Sequence, residues 1–186
     1  MKRLFALAVV VACSSSSVSS AEDAKTAYLG LDASIDKAIT LGFAGFNAAS
    51  SANISPQTDV GAKSGTMTIT GQVDQGASAN KGMRLQEKLV TYSDNGTLNY
   101  STNDASLPAL DMTMKNVPNG TLTGTLVGSF TMDGDLKGPV TLNLSFTGQL
   151  QPNAVDAKKV ERKPGTTHIT GTATAGDASY AVDITR

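Results

Sequence analysis

The stretch Val140–Leu150, VTLNLSFTGQL, alternates without exception. Val140, Leu142, Leu144, Phe146, Gly148 and Leu150 share one parity, and Thr141, Asn143, Ser145, Thr147 and Gln149 share the other. Successive side chains of a strand point to opposite faces, so this run is a strand with one apolar and one solvated face. A parallel sheet covered on both sides would read as a continuous apolar run; one-sided alternation points to an antiparallel sheet. The same parity holds in TLTGTLVGSFTM, through Leu122, Gly124, Leu126, Gly128, Phe130 and Met132, broken only by Val127. It holds again at Leu110, Met112 and Met114, and at Tyr180, Val182 and Ile184. Asp94-Asn95-Gly96, Asn119-Gly120, Asp133-Gly134 and Gly176-Asp177 are turn signals between these runs. The pattern predicts about eight strands in up-and-down order. They fall near 65–74, 83–92, 97–101, 109–115, 121–132, 138–150, 165–174 and 179–185.

A different period precedes them. Tyr28, Leu31, Ile35, Ile39, Phe43 and Phe46 recur at steps of three or four, one apolar stripe on a helix over about 27–50. Asp32 or Thr26 is its expected cap, and Gly42 and Gly45 flatten one side of it. Residues 53–63, with Pro56, and 156–163, a mixed charge run, read as connections. The expected fold is α+β and mainly β: a coiled antiparallel meander, half-open to closed as a barrel, packed on one N-terminal helix. A sandwich is the rival. A lipid-spanning barrel needs aromatic girdles, and a chain with five Phe, four Tyr and no Trp lacks the material for them.

The stretch GAKSGTMTITGQVDQG, residues 61–76, returns a hundred residues later as ERKPGTTHITGTATAG, residues 161–176. Parity places Met67, Ile69, Gly71 and Val73 inward, and Ile169, Gly171 and Ala173 likewise. The apolar-Thr-Gly core recurs as Leu122-Thr123-Gly124 and Phe146-Thr147-Gly148, so the repeat is read as sheet grammar. A strand-interior Gly marks a bend, a bulge or the close approach of another backbone. Gly71, Gly124, Gly148 and Gly171, with Phe130 and Phe146, are therefore the candidate lining of a concave-face pocket or a helix contact. No helix pattern follows Gly71 or Gly171, which a Gly-rich phosphate loop requires.

The N-terminus carries Lys2 and Arg3, then nine apolar residues, Leu4–Ala12. A helical span needs about 20, so this is a secretory signal. Val10-Val11-Ala12-Cys13 resembles the lipobox of bacterial lipoproteins, with Val10 where that family usually has Leu. The resemblance covers the first 13 residues. It implies removal of residues 1–12, lipidation of Cys13, and residues 13–25 as a flexible tether to one domain, 26–186. Ser14 after the Cys implies sorting to the outer membrane. The alternative is cleavage after Ala21, which gives a periplasmic or secreted protein without an anchor.

Little else reads as chemistry. Cys13 is the single cysteine, so the chain can form no internal disulfide, and with one His a zinc site lacks ligands. No cofactor or metal is expected. A net charge of −1 gives no basic patch for nucleic acid. His168 falls on the Thr face, and no G-x-S-x-G elbow accompanies it. Asp133-Gly134-Asp135 and Asp94-Asn95-Gly96 stop short of a calcium loop and sit where hairpins need turns. Glu87 shares the parity of Met83, Leu85 and Leu89. Either a bulge shifts the face before Val90 and Tyr92, or Glu87 meets a cation inside; the bulge is the simpler reading. The expected function is a non-enzymatic envelope lipoprotein, anchored in the membrane and binding an apolar small molecule or an envelope protein. A structural protein without a lipid anchor and an envelope hydrolase are the alternatives.

Overall fold

The computed structural model describes residues 16–186. The expected signal run and Cys13, the expected lipidation site, lie outside the described residues. The elements are β1 Ser16–Ser17, α1 Ala21–Ala48, β2 Gln57–Val60, β3 Ser64–Val73, β4 Lys81–Ser93, β5 Leu98–Ser101, β6 Ala109–Lys115, β7 Thr121–Gly134, β8 Leu136–Pro152, β9 Val160–Arg162, β10 His168–Ala175 and β11 Ala178–Thr185. One large antiparallel sheet coils around one helix, as the two periods predict.

The helix begins earlier than its apolar stripe suggests, and the reason is local. Ser20 Oγ accepts from the Asp23 backbone N–H at 3.1 Å, and the Asp23 carboxylate accepts from the Ser20 N–H at 3.1 Å. This reciprocal capping box satisfies two N-terminal donors, so Ser20 is the cap in place of Asp32 or Thr26. Residues 21–25, assigned above to the tether, are thus the first helical turn.

The strand order is β11-β10-β8-β7-β5-β4-β3-β2, and β6 pairs with β4 and β7 as β5 does. The expected meander holds with one change. β5 and β6 share one slot end to end, because residues 102–108 leave the sheet between them. β2 and β9 are additional short strands in segments read above as connections, and β1 pairs in parallel with the start of β8.

β2 and β11 are the two edges of the main sheet and do not bond to each other. Helix α1 lies against both, and against β3 and β10. It exposes a narrow line, Glu22, Thr26, Leu29, Ala33, Thr40, Ala44 and Ala48, and buries Tyr28, Leu31, Ile35, Ile39 and Phe43. The helix therefore fills the concave face and covers edges that would otherwise offer unpaired backbone groups. Side chains clasp it on both flanks. Lys37 Nζ donates to the Val60 carbonyl at 2.8 Å, and Arg162 Nη1 donates to Asp36 at 2.8 Å. Close approach comes from helix glycines. A Cβ on Gly30 would strike the Tyr100 hydroxyl, which donates to the Ala27 carbonyl at 2.7 Å; one on Gly42 would meet Leu85 Cδ1 at 2.8 Å. The apolar parity faces this helix, the reverse of a lipid-spanning barrel.

Glu87 stays inward. It is fully buried, opposite Ile69 on β3, and among the described residues both carboxylate oxygens are without a hydrogen-bond partner. The bulge expected to turn it outward occurs later. Thr91, with φ 48°, is the extra residue, Val90 and Thr91 are exposed, and Tyr92 returns to the core. The register against β3 slips between Ser64 and Thr66, after Glu87 has been paired. Burial alone pushes its carboxyl up from 4.5 to about 8.

Candidate functional site

The six residues proposed to line a concave pocket sit within the sheet. One rung reads Gly71, Leu85, Leu110, Leu126, Leu144, Gly171, Val182, across β3, β4, β6, β7, β8, β10 and β11. The two repeat glycines thus flank four leucines on a single rung. Their φ values are +134° and +139°, and a Cβ there would strike the carbonyl of Arg84 on β4 or of Asn143 on β8. Each lets its strand approach the neighbouring backbone. Gly124 faces the Phe146 ring one pair further along, and Gly148 lies beside Thr167, whose Oγ1 would be 3.3 Å from a Cβ. Phe130 and Phe146 are core residues at 2% exposure, on the face that the helix fills.

The repeat also extends further than its glycines. Val60 and Val160 occupy equivalent positions, and each carbonyl accepts from a helix side chain: Lys37 at 2.8 Å and Asn47 Nδ2 at 2.8 Å. Gly65 and Gly165 share φ +72°. The two copies enter β3 and β10 from opposite ends of the sheet, since both strands are antiparallel to neighbours in a continuous ladder. Their surroundings differ. Beside the first copy, the Lys37 ammonium lies 3.8 Å from Asp59, 3.7 Å from Asp94 and 5.3 Å above the Tyr92 ring. Gly65 there packs against the Thr91 backbone. Beside the second copy, nothing among the described residues lies within 4 Å of a Cβ on Gly165, and a cleft of about 490 Å³ opens.

Helix α1 supplies one wall of this cleft through Asp36, Thr40 and Phe43. The segment from Glu161 to Gly165 supplies the other, and Thr167 and Arg186 complete it. The walls are held before any ligand arrives. Arg162 reaches across to α1, with Nη1 on Asp36 Oδ1 at 2.8 Å and Nη2 on the Asp36 carbonyl and Thr40 Oγ1 at 3.2 and 2.8 Å. The turn is fixed to β8: the Lys163 N–H donates to the Gln149 carbonyl at 2.8 Å, and the Gln149 N–H to Thr166 Oγ1 at 3.1 Å. Phe43 at 4% exposure and Thr167 at 1% form the floor. Glu161 accepts from Gln151 and Asn153 at 2.8 and 2.6 Å, and Arg186 pairs with Asp32. Among the described residues Lys163 is in no ion pair. The cleft escaped the sequence reading because its walls are 120 residues apart; its one local signal was the repeated Lys-x-Gly-Thr.

His168 does acquire an acid across the ladder, with Nε2 2.7 Å from Asp183 Oδ1. The pair stands on the outer face, half-exposed, and the nearby Ser145 hydroxyl bonds Thr170 instead at 3.3 Å. Among the described residues no nucleophile is held against the imidazole, and the arrangement is a cross-strand pair. Among the described residues no group of three or more His, Cys, Asp or Glu is placed to hold a metal ion. Comparison with protein-family models, with curated proteins and with solved structures gives no match to this chain.

Proposed function

We propose that this protein is a non-enzymatic binding module of the bacterial cell envelope, anchored to the outer membrane by lipid on Cys13, and that its binding surface is the cleft beside the second repeat copy. The observation that carries this reading is the placement of the cleft relative to the N-terminus. Ser16 and Ser17 pair with Leu136 and Lys137 at the start of β8, while the cleft wall is tied to Gln149 near its end. Twelve residues of strand separate the two, about 40 Å along β8. Only Ser14 and Ser15 stand between Cys13 and the first paired residue. An anchor at Cys13 would hold the start of β8 against the bilayer and turn the cleft away from it. The concave face is occupied by α1, so the apolar-ligand reading moves from that face to the cleft.

Metabolic labelling with a fatty acid tests the anchor. Wild-type protein should carry the label and fractionate with membranes, and Cys13→Ala should lose both. Label retained in the variant would sink the anchor.

A further inference from the structure

We infer that the cleft beside Gly165 takes a small monoanion with a flat apolar body, the apolar part lying on Phe43 and Pro164 and the anionic group on Lys163. This rests on the cleft as the binding surface proposed above and adds the class of ligand. Four observations lead to it. The volume of about 490 Å³ suits one small molecule. The walls are fixed by the Arg162 fork and the Lys163–Thr166 turn, so little ordering entropy is lost on binding. The Phe43 ring at the floor and Pro164 on the wall are favourable for a planar apolar group. The polar groups at the rim are committed to one another, with Arg162 on Asp36, Arg186 on Asp32 and Glu161 on Gln151 and Asn153. Lys163 is exposed at the lip and among the described residues is in no ion pair, so it is the charge with capacity for a ligand.

The first repeat copy sharpens the argument. There the space beside Gly65 is filled by the backbone of Val90 and Thr91, and the Lys37 ammonium that bonds Val60 is neutralised by Asp59 and Asp94. In the second copy Asn47 takes the place of Lys37 at Val160, nothing among the described residues lies within 4 Å of a Cβ on Gly165, and the Lys163 ammonium stands at the lip. The repeat glycine at φ +72° is thus packed against a neighbouring strand on one flank and left open on the other.

Naphthalene-2-sulfonate and its neutral isostere naphthalene-2-sulfonamide are the test pair. The chain contains no Trp, so naphthalene fluorescence is read against a low background. Binding is titrated with the full lipidated chain in vesicles, alongside Lys163→Glu and, as a matched charge reversal in the other copy, Lys63→Glu. The expected result is saturable one-site binding of the sulfonate, weakened about tenfold or more by Lys163→Glu and unchanged by Lys63→Glu. The sulfonamide should bind more weakly than the sulfonate and should not respond to Lys163→Glu. Equal binding of sulfonate and sulfonamide would overturn the anionic class while leaving the cleft as a binding surface. Failure of both to saturate, or equal loss in the two lysine variants, would overturn the inference and the cleft together. Fatty-acid labelling of Cys13 reads the anchor separately from either outcome.

Discussion

Glu87 makes the stability of this fold depend on pH in an unusual direction. Its carboxyl is fully buried, unpaired, and raised from 4.5 to about 8 in the folded protein by burial. Between those values the unfolded chain has released the proton and the folded chain still holds it. The folded state then binds more protons, so stability falls as pH rises. The loss begins near pH 4.5, continues to about pH 8, and levels off where both states are ionised. The rise corresponds to about 5 kcal/mol across the window. That is a large part of the 5–15 kcal/mol typical of a domain. The perturbation is Glu87→Gln, read by urea denaturation at several pH values from 4.5 to 9. Asp23, Asp74 and Asp133 are held below the usual range by hydrogen bonds, at exposed sites, and they contribute equally to both proteins. The difference between wild type and variant therefore isolates position 87. Near pH 4.5 the two should be close, since a neutral amide replaces a neutral acid. Near pH 8.5 the variant should be the more stable, with a urea midpoint higher by about 2 M. Glu87→Met, which removes the orphaned oxygens, should exceed wild type at every pH, by about 1–3 kcal/mol at the acid end. Parallel pH profiles for wild type and Glu87→Gln would refute the reasoning.

Two further predictions concern close approach. Gly30→Ala should destabilise by about 1–3 kcal/mol in denaturant melts, because its methyl enters the space of the Tyr100 hydroxyl. Combined with Tyr100→Phe, which vacates that space, the loss should be less than the sum of the single changes. Gly71→Ala and Gly171→Ala should each cost about 2 kcal/mol or more by the same assay, since each meets a neighbouring carbonyl at positive φ. Gly76→Ala, also at positive φ but with nothing within 4 Å, should cost only the backbone strain of about 1 kcal/mol.

The sheet was legible because its signal is local. Period-two runs such as Val140–Leu150 fix which side chains face in, and all six of that run's apolar-parity positions are buried. The helix was legible from its stripe, but its start was set by Ser20 and Asp23, a short polar motif upstream of the first buried residues. β2 and β9 are four and three residues long and carry no period of their own. They pair with β3 and β8, and Val60 and Val160 also bond Lys37 and Asn47 on a distant helix. The fate of Glu87 turned on where a single extra residue was inserted, and Thr91 gives no sequence signal for that role. The cleft depends on which repeat glycine another strand packs against: Gly65 meets the Thr91 backbone, and nothing among the described residues lies within 4 Å of a Cβ on Gly165. The bulge at Thr91 that fills the first site lies outside both copies, so a comparison of the two copies alone holds no trace of it.

The helix that spans both sheet edges also sets an order of events. Tyr28 stacks 5.4 Å from Tyr180, and the Arg162 fork on Asp36 joins residues 126 apart in the chain. Contacts of such separation are formed late and slowly, because a long loop must be closed before they contribute. The first helix cannot find its final seat until β9, β10 and β11 are present, and the sheet cannot hide its edges until the helix is seated. Folding of this chain is therefore a closing step that joins its beginning to its end, and the early strands remain open to other chains until it is done.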